Sequence, residues 1–328
     1  PWKTSLSVNF VQTRGLDVLR TRDINAYLPG TYTGPGTGVR PYSTDNDIYL
    51  FESSGMFKQT QLIMNVSNRL SSHLQLQGYY VYGQAHSNAN GFPMDQYNAD
   101  QDWGRSNYDI RQRAFIGGSV GLPFKWVAAP FITMSSGAPF NITTGGAFNG
   151  SGIFNARPTF ATSASNAKSV YATPWGNFNI NPVSGETLIP YNYGEGPGQF
   201  SVNMRLSRTW GWGEKKGSGS MDSGRGMGGP GGPGGGGPRG GRGGGGFAGG
   251  MGGFGGFGGG STGKRYNLTF TASARNLFNH VNYGAPNGVL SSPFFGESTS
   301  LSGGGPGGFG GGSAAGNRKV EFQLRFQF

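Results

Sequence analysis

The chain has no cysteine, which excludes disulfide staples and thiolate metal sites. It has little charge: Asp, Glu, Lys and Arg make up 12%, against roughly 25% in an ordinary soluble domain. Its three histidines, His73, His86 and His280, are scattered, and none lies beside a Ser or Asp in a spacing that points to nucleophilic catalysis. Asp45-Asn46-Asp47 and Asp100-Gln101-Asp102 offer loop oxygens but lack the glycine and distal glutamate of a calcium loop. These absences point away from an enzyme and give no catalytic, metal or cofactor-binding residue to nominate. Long apolar runs are missing too. The longest, residues 126–132, contains Pro130 and falls well short of the roughly 18 residues read as a transmembrane helix. A chain of this kind enters a membrane only as a closed β-barrel. It opens on Pro1-Trp2-Lys3, with neither an initiator Met nor an apolar signal segment, so further protein is expected upstream.

What is present is glycine, proline and aromatics. Gly (65) and Pro (19) exceed a quarter of the 328 residues, yet aromatics reach 13%, and full disorder would deplete them. The net charge of +11 fits a nucleic acid or an anionic membrane surface equally well.

The last nine residues organise the rest. Val320, Phe322, Leu324, Phe326 and Phe328 alternate without error with Glu321, Gln323, Arg325 and Gln327, the period of a strand with one apolar and one polar face. Nine residues tilted by about 45° are close to enough to cross a bilayer core. Seven further stretches alternate in the same way: residues 2–11, a segment within 48–70, then 73–83, 108–122, 125–135, 199–211 and 264–275. The fifth of the eight, 125–135, alternates poorly and contains Pro130. Connections run long (12–47), short (Ser71-Ser72), long (84–107), short (Pro123-Phe124) and long (136–198), and the last is long (276–317). Short turns on one side and long loops on the other are the habit of outer-membrane barrels, with the short turns in the periplasm. On that reading Trp2, Trp126, Trp210 and Trp212, with the terminal Phe328, gather at periplasmic strand ends as membrane-interface anchors. The tract 213–263 interrupts the scheme. It is Gly-rich and of low complexity, with Gly-Pro-Arg-Gly-Gly-Arg-Gly at 237–243. Three arginines, Arg225, Arg239 and Arg242, are too few for a phosphate-binding funnel, so no nucleic-acid partner is expected. An expanded turn is the plainer reading, since each doubling of a loop costs only about 0.6 kcal/mol.

Glu52-Ser53-Ser54-Gly55, Asp109-Ile110-Arg111-Gln112-Arg113, Leu122-Pro123-Phe124, Ser136-Gly137-Ala138-Pro139-Phe140 and Arg275-Asn276-Leu277-Phe278-Asn279-His280, with the terminal phenylalanine, are together distinctive. Over nearly the whole chain except the glycine tract, the sequence resembles the C-terminal barrel portion of TonB-dependent outer-membrane receptors, Oar-like branch. The resemblance implies an all-β, antiparallel transmembrane barrel fragment, the last eight strands of a 22-stranded barrel closed by a plug. It implies active uptake of a large nutrient, energised through TonB. The implied partners are outer-membrane lipid and lipopolysaccharide, the barrel-assembly machinery through the C-terminal strand, TonB through a missing N-terminal region, and a nutrient. Neither the plug nor the TonB-contacting segment occurs in this sequence, so those parts come from the resemblance alone. In a plugged barrel Lys3, Arg69, Arg113, Arg205, Arg275 and Arg325, all on polar faces, point into the lumen. They then either line a path for an anion or pair with carboxylates of the plug. Substrate contacts are expected in loop 136–198, on Phe140, Phe148, Phe154, Tyr171, Trp175, Tyr191 and Tyr193. The rival readings are a self-contained eight-stranded adhesin or structural barrel, surface attachment on a receptor scaffold, and a soluble arginine–glycine RNA binder.

Overall fold

The computed structural model describes residues 3–42, 44–71, 73–215, 262–302 and 316–328. Its frame is one antiparallel sheet of eight long strands paired in sequence order. They are β1 (Lys3–Asp23), β2 (Tyr49–Arg69), β3 (Leu74–Ser87), β4 (Gln112–Gly121), β5 (Trp126–Ser135), β6 (Gln199–Lys215), β7 (Lys264–Arg275) and β8 (Lys319–Gln327). The short strand Gly104–Arg105 pairs with the end of β3. No helix among the described residues is long and apolar enough to cross a membrane.

Alternation and register sort the side chains into two faces. One row runs Leu6, Val66, Gly78, Ile116, Ile132, Val202 across six strands. Trp210, Leu268 and Phe326 make another across the last three. The opposite face carries Ser67, Gln77, Ser207, Thr271 and Gln323. Burial is inverted relative to a soluble fold. Leu6 and Phe10 are each 69% exposed and Phe322 71%, whereas the polar-face Ser207 and Thr269 are 3% and 7% exposed. In water this would leave a large apolar surface uncovered. It is the arrangement of a curved sheet whose convex side meets hydrocarbon and whose concave side is polar.

The expected eight strands are all present, but several are longer or shorter than their alternation. β1 and β2 are 21 residues each, so the connection expected over residues 12–47 is strand as far as Asp23 and loop only beyond it. The reason is local. Beyond Phe10 the outward positions of β1 turn polar (Gln12, Arg14), and irregular pairing around Gly15 and Val18 then breaks the period. A strand wet on both faces has no amphipathic signal to read. β3 continues to Ser87, and β4 begins at Gln112 because residues 106–111 turn around Asp109. Pro130 lies inside β5, opposite Met204. β6 extends to Lys215, opposite Lys264 at the start of β7. The Gly-rich insert 213–263 therefore begins within a strand, and its residues 216–261 lie outside the described residues. β1 and β8 are the ends of the strand order. Neither pairs with the other, nor with any further strand, among the described residues.

The long loops are folded. Thr159–Phe160, Gly176–Asn179 and Val170–Thr173 form a small three-stranded sheet, and Pro139–Phe140 pairs with Gly194–Glu195. Between them Phe140, Ile142, Phe178, Ile189 and Leu290 make a buried cluster, the last of these from the loop before β8.

Candidate functional site at the two ends of the wall

The short-turn end is an aromatic belt. Trp126 stands edge-on to Trp210 at 6.3 Å and to Phe270 at 6.2 Å. Trp212 stacks on Tyr266 and on Phe326, and Phe326 on Phe328 at 6.0 Å. Each ring comes from an outward strand position, so adjacent strands bring them together through register alone. Aromatic pairs of this kind contribute about 0.5–1.5 kcal/mol beyond their buried area. Four of the five anchor residues, Trp126, Trp210, Trp212 and Phe328, thus share one belt. Trp2 lies outside the described residues.

The long-loop end is a packed layer held by three charged nodes. Arg157 is buried, ion-paired to Asp102, and donates from Nη1 to the Ile189 carbonyl at 2.8 Å and from Nη2 to the Gln101 carbonyl at 3.0 Å. It thereby ties the loop after β3 to the loop after β5. Desolvation raises the Asp102 carboxyl above its ordinary range, although Arg157 and the Met94 N–H pull the other way. Burial likewise pushes the Tyr191 phenol up. Asp109 is the second node. It accepts from Arg105 Nε at 2.6 Å, Arg111 Nε at 3.1 Å and the Ala85 N–H at 2.8 Å. Glu186 is the third. Desolvation opposes its ionisation, but donors on Ser165, Thr159 and Asn179 and the Val183 N–H outweigh that and lower its pKa to about 2.

The distinctive motifs are seats for these loops. Glu52 accepts from Arg20 Nε at 3.1 Å and Arg22 Nε at 3.0 Å, and Ser53 Oγ donates to the Asp17 carbonyl at 2.6 Å. A Cβ at Gly55 would meet Ala89 at 2.7 Å. In the Ser-Gly-Ala-Pro-Phe stretch, Ser136 Oγ accepts from the Gln112 N–H at 3.1 Å, and a side chain at Gly137 would overlap the Gly196 carbonyl. Asn276, at φ 49°, bonds both ways with the His280 backbone, at 2.7 and 2.9 Å. Its N–H reaches Asn203 Oδ1 on β6 at 2.9 Å.

The loop aromatics fall into two groups. Phe140 is in the buried cluster, and Tyr171 and Trp175 pack against it. Trp175 donates from Nε1 to the Glu195 carbonyl at 3.2 Å. Tyr193 is edge-on to Phe160 at 5.3 Å. Tyr191 lies under Arg157 and its hydroxyl reaches the Asn90 carbonyl at 3.4 Å. Phe148 is half-buried and Phe154 exposed. Exposed rings outside this set, Phe92, Trp103, Tyr108 and Phe294, sit in the neighbouring loops. Only their aromatic character marked them, in loops with no periodicity. On the inner face Arg69, Arg113, Arg205, Arg275 and Arg325 all take inward positions, spread from one end of the wall to the other rather than in one patch. Arg275 pairs with Glu321 at 3.3 Å. The side chain of Lys3 lies outside the described residues. Among the described residues no group of three or more His, Cys, Asp or Glu is placed to hold a metal ion.

A family model described as Outer membrane beta barrel domain matches residues 1–217. No curated protein and no solved structure matches the chain.

Proposed function

The chain belongs to the outer membrane beta barrel domain family and sits in the outer membrane of a Gram-negative cell; from that premise we propose that it is the wall of a TonB-dependent receptor that imports a large nutrient. The observation that carries this reading is the open sheet. A self-contained eight-stranded barrel would pair β8 with β1, yet these strands stand at opposite ends of the strand order. Two bare edges in a membrane need further strands to satisfy their backbone groups, and a wider barrel leaves room for a plug and a solute path. The folded loops support the same reading. A layer built around Arg157, Asp109 and Glu186 holds the exposed rings above the opening. The inward arginines are then placed to meet a plug or an anionic solute.

The test is growth of a Gram-negative host carrying the full-length protein, with and without TonB, on a panel of large nutrients at limiting concentration. TonB-dependent growth on at least one nutrient is expected. Equal growth of both hosts on every nutrient overturns the proposal. Deleting residues 145–190 is expected to abolish that growth while leaving the protein in the outer-membrane fraction. Unchanged growth removes this loop from substrate recognition.

A further inference from the structure

Along β3–β8 the outward positions of the apolar band hold Leu, Ile, Val, Met, Ala, Gly, Pro and aromatic residues, with Gln112 at one end. Among the described residues the one charge inside this band is Arg208, since Lys264, of the same parity on β7, lies beyond its aromatic edge. It stands opposite Trp126 on β5 and opposite Phe270 on β7. Its guanidinium carbon is 5.8 Å from the centre of the Trp126 ring and 4.9 Å from that of Trp210. Two rings, nearly perpendicular to each other, therefore flank the cation. They do nothing for its N–H groups, which lie in the guanidinium plane and require acceptors. The residues around it on this face, Leu206, Leu268, Phe270 and the two tryptophans, supply no oxygen acceptor from a side chain.

A lipid-facing arginine costs about 2–4 kcal/mol at the bilayer midplane and about 0–1 near an interface. The difference reflects what the interface supplies, namely phosphate oxygens and water. Arg208 is at that level. Its partner Trp126 is the first residue of β5, directly after the short turn, and barrels of this class place short turns in the periplasm. The leaflet at that end is glycerophospholipid. A planar guanidinium matches a phosphate with two parallel hydrogen bonds. We propose that Trp126, Arg208 and Trp210 form a binding site for one phospholipid of the periplasmic leaflet, with its phosphate in the Arg208 fork and its acyl chains along Ala128, Leu206 and Ala272, the next outward row away from the short-turn end.

Native mass spectrometry of the full-length protein, titrated with phosphatidylglycerol, tests this. Arg208→Gln is expected to weaken retention of one lipid about tenfold, the loss of a charge-assisted hydrogen bond. Lys58→Gln, on the outward face of β2 beyond the apolar band, is expected to retain it. Inorganic phosphate at the same concentration is expected not to displace the lipid. Equal retention by Arg208→Gln overturns the proposal, and displacement by inorganic phosphate makes the site one for a free anion instead. If Arg208→Gln does not fold, wild-type protein is cross-linked with phosphatidylglycerol carrying a photoreactive headgroup. Adducts concentrated on residues 126–128 and 206–212 support the site. Adducts spread evenly over the outer face overturn it.

Discussion

Single carboxylates hold the outer loops, and each has a different weakness. Asp109 is fully buried and faces two guanidinium groups and a backbone N–H. Asp109→Ala leaves Arg105 and Arg111 without their shared acceptor. Breaking such a buried arrangement costs about 3 kcal/mol. Hydrogen exchange should show that loss as faster opening of residues 85–111 in the full-length protein, with the rest of the wall unchanged. Glu186 fails by protonation. Its folded pKa, about 2, lies below the ordinary 4.5, so its contribution is fully present above about pH 4.5 and is lost as pH falls towards 2. Amide protection across residues 159–187, corrected for intrinsic exchange, should be flat above that window and fall within it. In Glu186→Gln the fall should disappear. None of these pairings was legible beforehand. Asp109-Ile110-Arg111 stood out as a motif, but nothing in its spacing revealed that its carboxylate also meets Arg105 and Ala85. The Arg157–Asp102 pair joins residues 55 apart, a separation at which sequence carries no pairing signal.

At the level of elements, amphipathic period and legibility coincide. β7 is readable to its ends, and β8 nearly so, because apolar and polar residues alternate without a break from Tyr266 to Ala274 and from Val320 to Gln327. The outer halves of β1 and β2 were not readable, since beyond the apolar band both faces meet water and the period vanishes. The loop aromatics were legible as a dense set but not as two populations. Whether a ring such as Phe140 packs on Ile142 and Leu290 or faces outward is set by long-range contact. The glycine in Ser136-Gly137-Ala138 is explained by one approach. Only a residue without Cβ fits against the Gly196 carbonyl while Ala138 accepts from the Gly196 N–H at 2.9 Å. Gly137→Ala should therefore loosen the base of this loop by about 1–3 kcal/mol. Limited proteolysis should then cut within residues 145–190 roughly tenfold faster. An unchanged rate would mean that the approach is not needed.

For the molecule as a whole, the inverted burial is the central fact. Apolar side chains face outward on all eight strands while serines, threonines and asparagines are buried on the inner face. The family match and the sheet agree on an outer-membrane wall, and the bare edges of β1 and β8 bear on its size. The most direct measurement exploits the absence of cysteine from this chain. Single cysteines are placed in turn at residues 320 to 327 of the full-length protein, in a background without other cysteines. They are then labelled in intact outer membranes with a lipid-soluble and a water-soluble maleimide. The account predicts strict alternation, with 320, 322, 324 and 326 reacting with the lipid-soluble reagent and the residues between them with the water-soluble one wherever it can enter. Equal labelling of both sets by the water-soluble reagent would contradict it, because β8 would then have water on both faces and could not be part of a membrane wall.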